Sequence, residues 1–185
     1  MTQKILNSLK EILKIVIIAA IIVIPIRYFI FQPFLVKGAS MEPSFSNGDY
    51  LIVDEISYRF QFPKRGEVIV FKYPDNPSIK FIKRIIALPG EKIKFKDSQI
   101  IITDYFNREI VLNEKDYLKN SGLQLVLKEK EFVIPENHYF VLGDNRLQSF
   151  DSKDWGFLNK EFIIGRVLLR LFPFTKINYF SAPLY

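Results

Sequence analysis

Apolar side chains are laid out along this chain in two different ways. From Ile15 to Ile26 twelve residues in succession carry no charge, and the run continues through Arg27 into Tyr28–Phe31 and Gln32–Val36. Its apolar positions fall on every face rather than on one stripe, which argues against a helix packed one-sidedly on a core. As a helix, Ile15 to Leu35 would reach about 30 Å, the thickness of a bilayer core. Arg27 can snorkel to the interface. Lys4, Lys10 and Lys14 outweigh Glu11 ahead of the run, which puts residues 1–14 in the cytoplasm and everything after residue 36 across the membrane. A cleaved signal peptide also starts basic and turns apolar, but small residues should follow closely, and bulky Tyr28 to Val36 stand there instead. The expectation is an uncleaved transmembrane anchor over residues 15–36, placing the protein in the plasma (inner) membrane with its body on the outer side.

Beyond residue 48 the apolar residues come in short bursts rich in Ile, Val and Phe. They predict strands at Tyr50–Val53, Glu67–Phe71, Phe81–Leu88, Lys92–Phe95, Gln99–Thr103, Glu109–Leu112, Leu123–Leu127, Tyr139–Leu142 and Phe162–Leu171. Turn formers separate them, among them Asn47-Gly48, Arg65-Gly66, Tyr73-Pro74-Asp75-Asn76-Pro77 and Pro89-Gly90. The fold class this predicts is mainly β, an antiparallel body that is coiled or barrel-like behind one helix. Residues 92–135 are more charged and offer no candidate chemistry, so they read as an inserted strand-rich subdomain between the core segments 37–91 and 136–185.

The net charge of +6 changes little in this picture, because from Gln32 onward 22 Lys and Arg face 19 Asp and Glu. Such a balanced body has no basic stripe for nucleic acid. With no cysteine and one histidine, thiolate nucleophiles, disulfides and the usual zinc sites are excluded, and no metal or cofactor is expected.

Three clusters carry the candidate chemistry: Gly38-Ala-Ser-Met-Glu-Pro43, Phe81-Ile-Lys-Arg-Ile85 with its Leu88–Glu91 turn, and Gly143-Asp-Asn-Arg-Leu-Gln-Ser-Phe-Asp-Ser-Lys153. Ser40 stands in an irregular segment where a nucleophile would be accessible, although a serine bonded within its own turn is the commoner case. His138, the only histidine, lies beside the apolar strand face of Phe140 and Leu142 and reads as a packed or capping residue. A lysine is the remaining base, since burial disfavours its charged form. At period two, Lys83 shares a face with Phe81 and Ile85 while Arg84 shares the other with Ile82 and Ile86. Periodicity leaves open which cation is buried, but a guanidinium does not deprotonate, so of the two only Lys83 can be a base. An edge-strand charge that discourages aggregation is the competing reading for each. In the third cluster Ser149, Asp151 and Lys153 alternate, so an extended backbone turns all three to one side; a hydroxyl there can orient the lysine amine, and Asp151 can pair with Lys153. Finally, Tyr58-Arg-Phe-Gln-Phe62 with Pro63-Lys-Arg65 reads either as an interfacial segment or as a strand with its aromatics in the core.

In this order, behind a single apolar anchor, the three clusters resemble those of type I signal peptidases, the membrane-bound serine proteases that release signal peptides. The likeness runs from Ile15 to about Pro173 and includes Trp155-Gly156. It implies Ser40 as nucleophile, Lys83 as general base, Ser149 as a hydroxyl bonded to that lysine, Asp151 as an acid in an ion pair, and Gly143 as the motif glycine beside the site. It implies a β body of the kind shared with self-cleaving repressors, exported preproteins as substrates with small side chains one and three positions before the cut, membrane lipid as surroundings, and a monomer. Two positions depart from the pattern: Lys153 stands where arginine is common, and Gly38 where some members carry a serine as oxyanion donor. A tethered β module that binds exported proteins without cutting them is the alternative from another class; a self-cleaving repressor is disfavoured because the N-terminal segment is too apolar for a helix-turn-helix.

Overall fold

The computed structural model describes residues 2–29, 31–97, 99–118 and 130–183, without the side chains of 2–7, 22, 24–29 and 31. Helix α1, Thr2–Phe29, opens the chain, and strand β1, Phe31–Leu35, follows it almost at once. The apolar run expected to stay helical to residue 36 therefore changes conformation at its last third. Pro33 accounts for this: its ring pushes Gln32 into extended backbone and its missing N–H cannot continue a helix. Among the described residues no helix is long and apolar enough to cross a membrane; the predicted span falls partly on side chains outside that set.

The remaining strands are β2 (Tyr50–Asp54), β3 (Val68–Tyr73), β4 (Asn76–Ala87), β5 (Lys92–Lys96), β6 (Gln99–Thr103), β7 (Glu109–Val111), β8 (Lys130–Val133), β9 (His138–Leu142), β10 (Leu158–Asn159), β11 (Ile163–Phe172) and β12 (Asn178–Tyr179), with one short helix, α2 (Ser152–Trp155). All pairings are antiparallel. One sheet runs β1-β2-β11-β3-β4-β9-β10 with β12 beside β11; the other runs β7-β6-β5-β8. Among the described strands the larger sheet is an open path, within the mainly β, antiparallel class that the strand pattern predicts. The strand expected at Leu123–Leu127 lies outside the described residues.

β4 is central because both of its faces are covered. Ile82 joins Met41, Phe45, Leu51 and Val70 in one cluster, Ile85 joins Ile69, Phe71 and Tyr139 in a second, and Ile86 and Ala87 join Ile93, Phe95, Ile102 and Phe140 in a third, which lies between the two sheets. Each buried Ile, Leu, Val, Met or Phe among them contributes roughly 1.5–3 kcal/mol by leaving water. On its other edge β4 pairs with β9 only from Arg84 onward, through Arg84↔Leu142 and Ile85↔Val141. Asn76 and Lys80–Lys83 pair with β3 alone among the described strands. The polar loop after Leu142 thus leaves the sheet beside Lys83.

Segment 57–62 is not a strand, and of its aromatics only Tyr58 packs against the core, beside the Ile69, Phe71, Ile85 and Tyr139 cluster. Ser57–Arg59 is a 3-10 turn, Tyr58 donates its hydroxyl to Glu67 at 2.7 Å, and Phe60 and Phe62 are 82% and 75% exposed.

Candidate active site

Lys83 and Arg84 answer the question periodicity left open: both are buried, at 3% and 5% exposure, on opposite faces of β4. Each has its own polar partner. Arg84 makes a two-pronged pair with Asp144, Nε to Oδ1 at 2.9 Å and Nη2 to Oδ2 at 2.7 Å, and donates to the Gly66 carbonyl at 2.8 Å. Nζ of Lys83 lies 2.7 Å from Oγ of Ser40, forty-three residues away. Burial pushes the Lys83 amine down to about 8; Asp151 draws it back up, Lys153 lowers it, and Asp144 raises it. At pH 7 about a tenth of the molecules therefore carry the neutral amine, far more than for a free lysine, and in that state the Ser40 hydroxyl donates and the amine accepts.

The segment that carries Ser40 is held from both sides. Gly38 has φ +89, a conformation that favours glycine, and its N–H donates to Asn47 Oδ1 at 3.0 Å. Asn145 donates its backbone N–H to the Ser40 carbonyl at 3.0 Å and its side-chain amide to the Ala39 carbonyl at 3.1 Å. Gly143 sits where a Cβ would collide with the hydroxyl of Ser149 and the backbone carbonyl of Ser40. No other residue fits so close an approach.

Asp151 anchors the far end of the same loop. It accepts from the Gly143 N–H at 3.0 Å and from Nζ of Lys153 at 2.7 Å to each oxygen, and it caps α2 in a reciprocal box with Asp154. The helix begins at Ser152, so residues 149–153 are not one extended strand as their alternation suggested; an Asp followed three residues later by Asp154 is a helix start. Ser149 contacts the Gly143 position, but its hydroxyl is buried without a hydrogen-bond partner, so the bond to Lys83 that the sequence pointed to is not made here. His138 donates from Nδ1 to the Glu136 carbonyl at 2.8 Å, in keeping with a local capping role.

A cavity of about 650 Å³ opens in front of Ser40, lined by Phe34, Leu35, Ile79, Ile82, Lys83 and Phe150 among others, along the stretch of β4 whose edge opposite β3 has no partner among the described strands. An extended peptide can add to such an edge by main-chain bonds while alternate side chains enter the cavity. No group of His, Asp and Glu among the described residues is arranged to hold a metal.

Sequence reasoning missed the Arg84–Asp144 pair and the role of Asn145. The first had a signal: a guanidinium in an apolar strand requires a counter-charge, and the polar loop after Leu142 held the free aspartate. The second had none, because a backbone contact across 105 residues leaves no trace in local pattern.

Residues 9–172 match the family model described as signal peptidase, peptidase S26. A probable signal peptidase I-2 of Synechocystis is 34% identical over 93% of this chain and 77% of its own length, and a signal peptidase I of Bacillus licheniformis is 35% identical over 93% of both. A solved signal peptidase I from Enterococcus faecalis is similar over 57% of this chain and 97% of its own, with 31% identity and a TM-score of 0.48.

Proposed function

The chain belongs to the signal peptidase family S26, and from that membership together with the 2.7 Å contact between Lys83 and Ser40 we infer that it is a serine endopeptidase that removes signal peptides from exported preproteins. The contact is the observation that carries the reading. Neutral Lys83 takes the Ser40 proton as Oγ attacks the scissile carbonyl, and the C–O bond forms while the carbonyl π electrons move to oxygen. The resulting ammonium gives its proton to the leaving amine as the C–N bond breaks. Water then attacks the acyl-enzyme with Lys83 again as base, releasing the acid and restoring the serine. The Ser40 N–H is the first candidate donor for the oxyanion. Ser149, Gly143, Asp151 and Lys153 support this pair: the glycine admits the Ser40 carbonyl, the aspartate fixes the loop, and the Ser149 hydroxyl, free in the resting enzyme, is available to the amine.

The membrane part of the reading rests on α1. Its 28 residues span about 42 Å, and Ile15, Val16, Ile17, Ile18, Ile21 and Val23 are all exposed to the surroundings. Lipid is the medium that such a surface fits. A preprotein threaded through the same bilayer meets Ser40 at a set height, which lowers the entropic cost of encounter.

The test is cleavage of a preprotein by the purified chain in detergent, beside Ser40→Ala and Lys83→Ala. Release of the signal peptide only by the parent supports the mechanism. Equal cleavage by both variants ends it, and binding without cleavage by all three favours the tethered module.

A further inference from the structure

The turn Glu114–Leu118 follows β7 and lies outside all three motifs. Its Asn113-Glu114-Lys115-Asp116 reads as a solvated charged turn, yet Glu114 and Leu118 are buried. The Glu114 carboxylate takes Nη1 and Nη2 of Arg146 at 2.9 and 2.5 Å, and the remaining Nε of that arginine donates to the Gly143 carbonyl at 3.0 Å. Tyr117 donates its hydroxyl to Glu114 at 2.5 Å, and its ring lies 3.9 Å from the Arg84 guanidinium, the group that clamps Asp144. One turn therefore grips residues 143, 144 and 146 through two arginines. Between them stands Asn145, which holds the carbonyls of Ala39 and Ser40.

Stability is a weak reason for such an arrangement. A carboxylate and a guanidinium buried together cost much of what they return, and apolar residues of the same volume commonly do as well or better. What a forked pair supplies, and an apolar pair does not, is a fixed direction. We propose that Glu114 and Tyr117 are positioning residues for the acyl-transfer step: through Arg146 and Arg84 they hold the Gly143–Arg146 loop against Ser40, which makes the turn Glu114–Leu118 part of what sets the geometry of the site. This rests on the reading of the chain as a Ser/Lys protease.

The experiment measures kcat, KM and melting for the full chain in detergent with a preprotein substrate. Glu114→Ala is expected to lower kcat about 10- to 100-fold with KM within about twofold. Tyr117→Phe, which removes one hydroxyl, is expected to lower it about two- to fivefold. The deciding variant combines Glu114→Leu with Arg146→Met: it is expected to melt at or above the parent temperature while keeping the low kcat of Glu114→Ala. Parent-level kcat in this double variant overturns the proposal. So does a loss in Glu114→Ala that disappears once rates are divided by the folded fraction, or that appears in KM. Should Glu114→Ala not fold, the double variant and Tyr117→Phe decide alone. A parent that leaves the preprotein intact sinks the protease reading itself, and the proposal with it, before any of these variants is compared.

Discussion

The amine of Lys83 sits near 8 because burial penalises its charge, and the neighbours that tune it give opposite signs. The cleavage rate is expected to rise as pH climbs through about 8, when the amine becomes neutral. Asp151 raises this value, so Asp151→Asn moves the midpoint of the rate profile to lower pH; Lys153 lowers it, so Lys153→Met moves the midpoint up. Measuring kcat against pH for both variants checks the two directions at once, and a common direction contradicts the electrostatic account. The same burial has a thermodynamic side. The folded value lies below that of a free lysine, so the unfolded chain binds the extra proton between about 8 and 10.5, stability rises with pH across that window, and the penalty is at its full size below it. Lys83→Met removes the penalty and is expected to stabilise the fold at neutral pH, by on the order of 3 kcal/mol, while abolishing cleavage. Chemical denaturation at pH 7 measures this.

Elements add constraints that single residues do not reveal. β4 carries two buried cations, and among the described residues only Arg84 has an ionic partner of its own: Arg84→Leu leaves Asp144 buried and unpaired, with an expected loss of about 3–5 kcal/mol by denaturant titration. The loop after β9 adds a steric limit. Gly143→Ala forces the Ser40 carbonyl or the Ser149 side chain to move, and a shift of that size is expected to lower kcat at least tenfold in an enzyme that still folds. Much of this was legible beforehand. Gln99–Thr103 is the strand its run of isoleucines predicted, and β2, β5 and β9 agree within a residue, because apolar bursts between turn formers have few alternatives. β1 was hidden inside a longer apolar run, where Phe31 and Leu35 look like more of the helix until Pro33 is given its weight. β8 and β10 were missed because Lys130–Val133 and Leu158–Asn159 are too short or too polar for periodicity to register. The nearness of Ser40 to Lys83 was suggested by family likeness alone, since contacts at such separation follow from the sheet order rather than from any local pattern.

Across the whole molecule, the helix exit and the segment 57–62 fall at one end of the large sheet, since Phe31 pairs with Asp54 and Asp54 accepts from Ser57. Exposed Phe60 and Phe62, with Lys160 4.4 Å from the Phe62 ring centroid, give that end an amphipathic rim suited to a lipid headgroup layer. The chain has no native thiol, so single cysteines report on sidedness without background. An impermeant maleimide applied to intact cells is expected to label Asp75→Cys and to spare Thr2→Cys; the reverse pattern would invert the proposed topology. Because Lys83 and Arg84 are consecutive on β4 and point to opposite sides, sliding that strand by a single position would trade an amine that can give up its proton for a guanidinium that never does. The same slip would carry Lys83 into the apolar site of Ile82 and leave Asp144 facing Ile85 instead of its guanidinium, so a one-residue insertion or deletion near position 83 is expected to cost the fold as well as turnover.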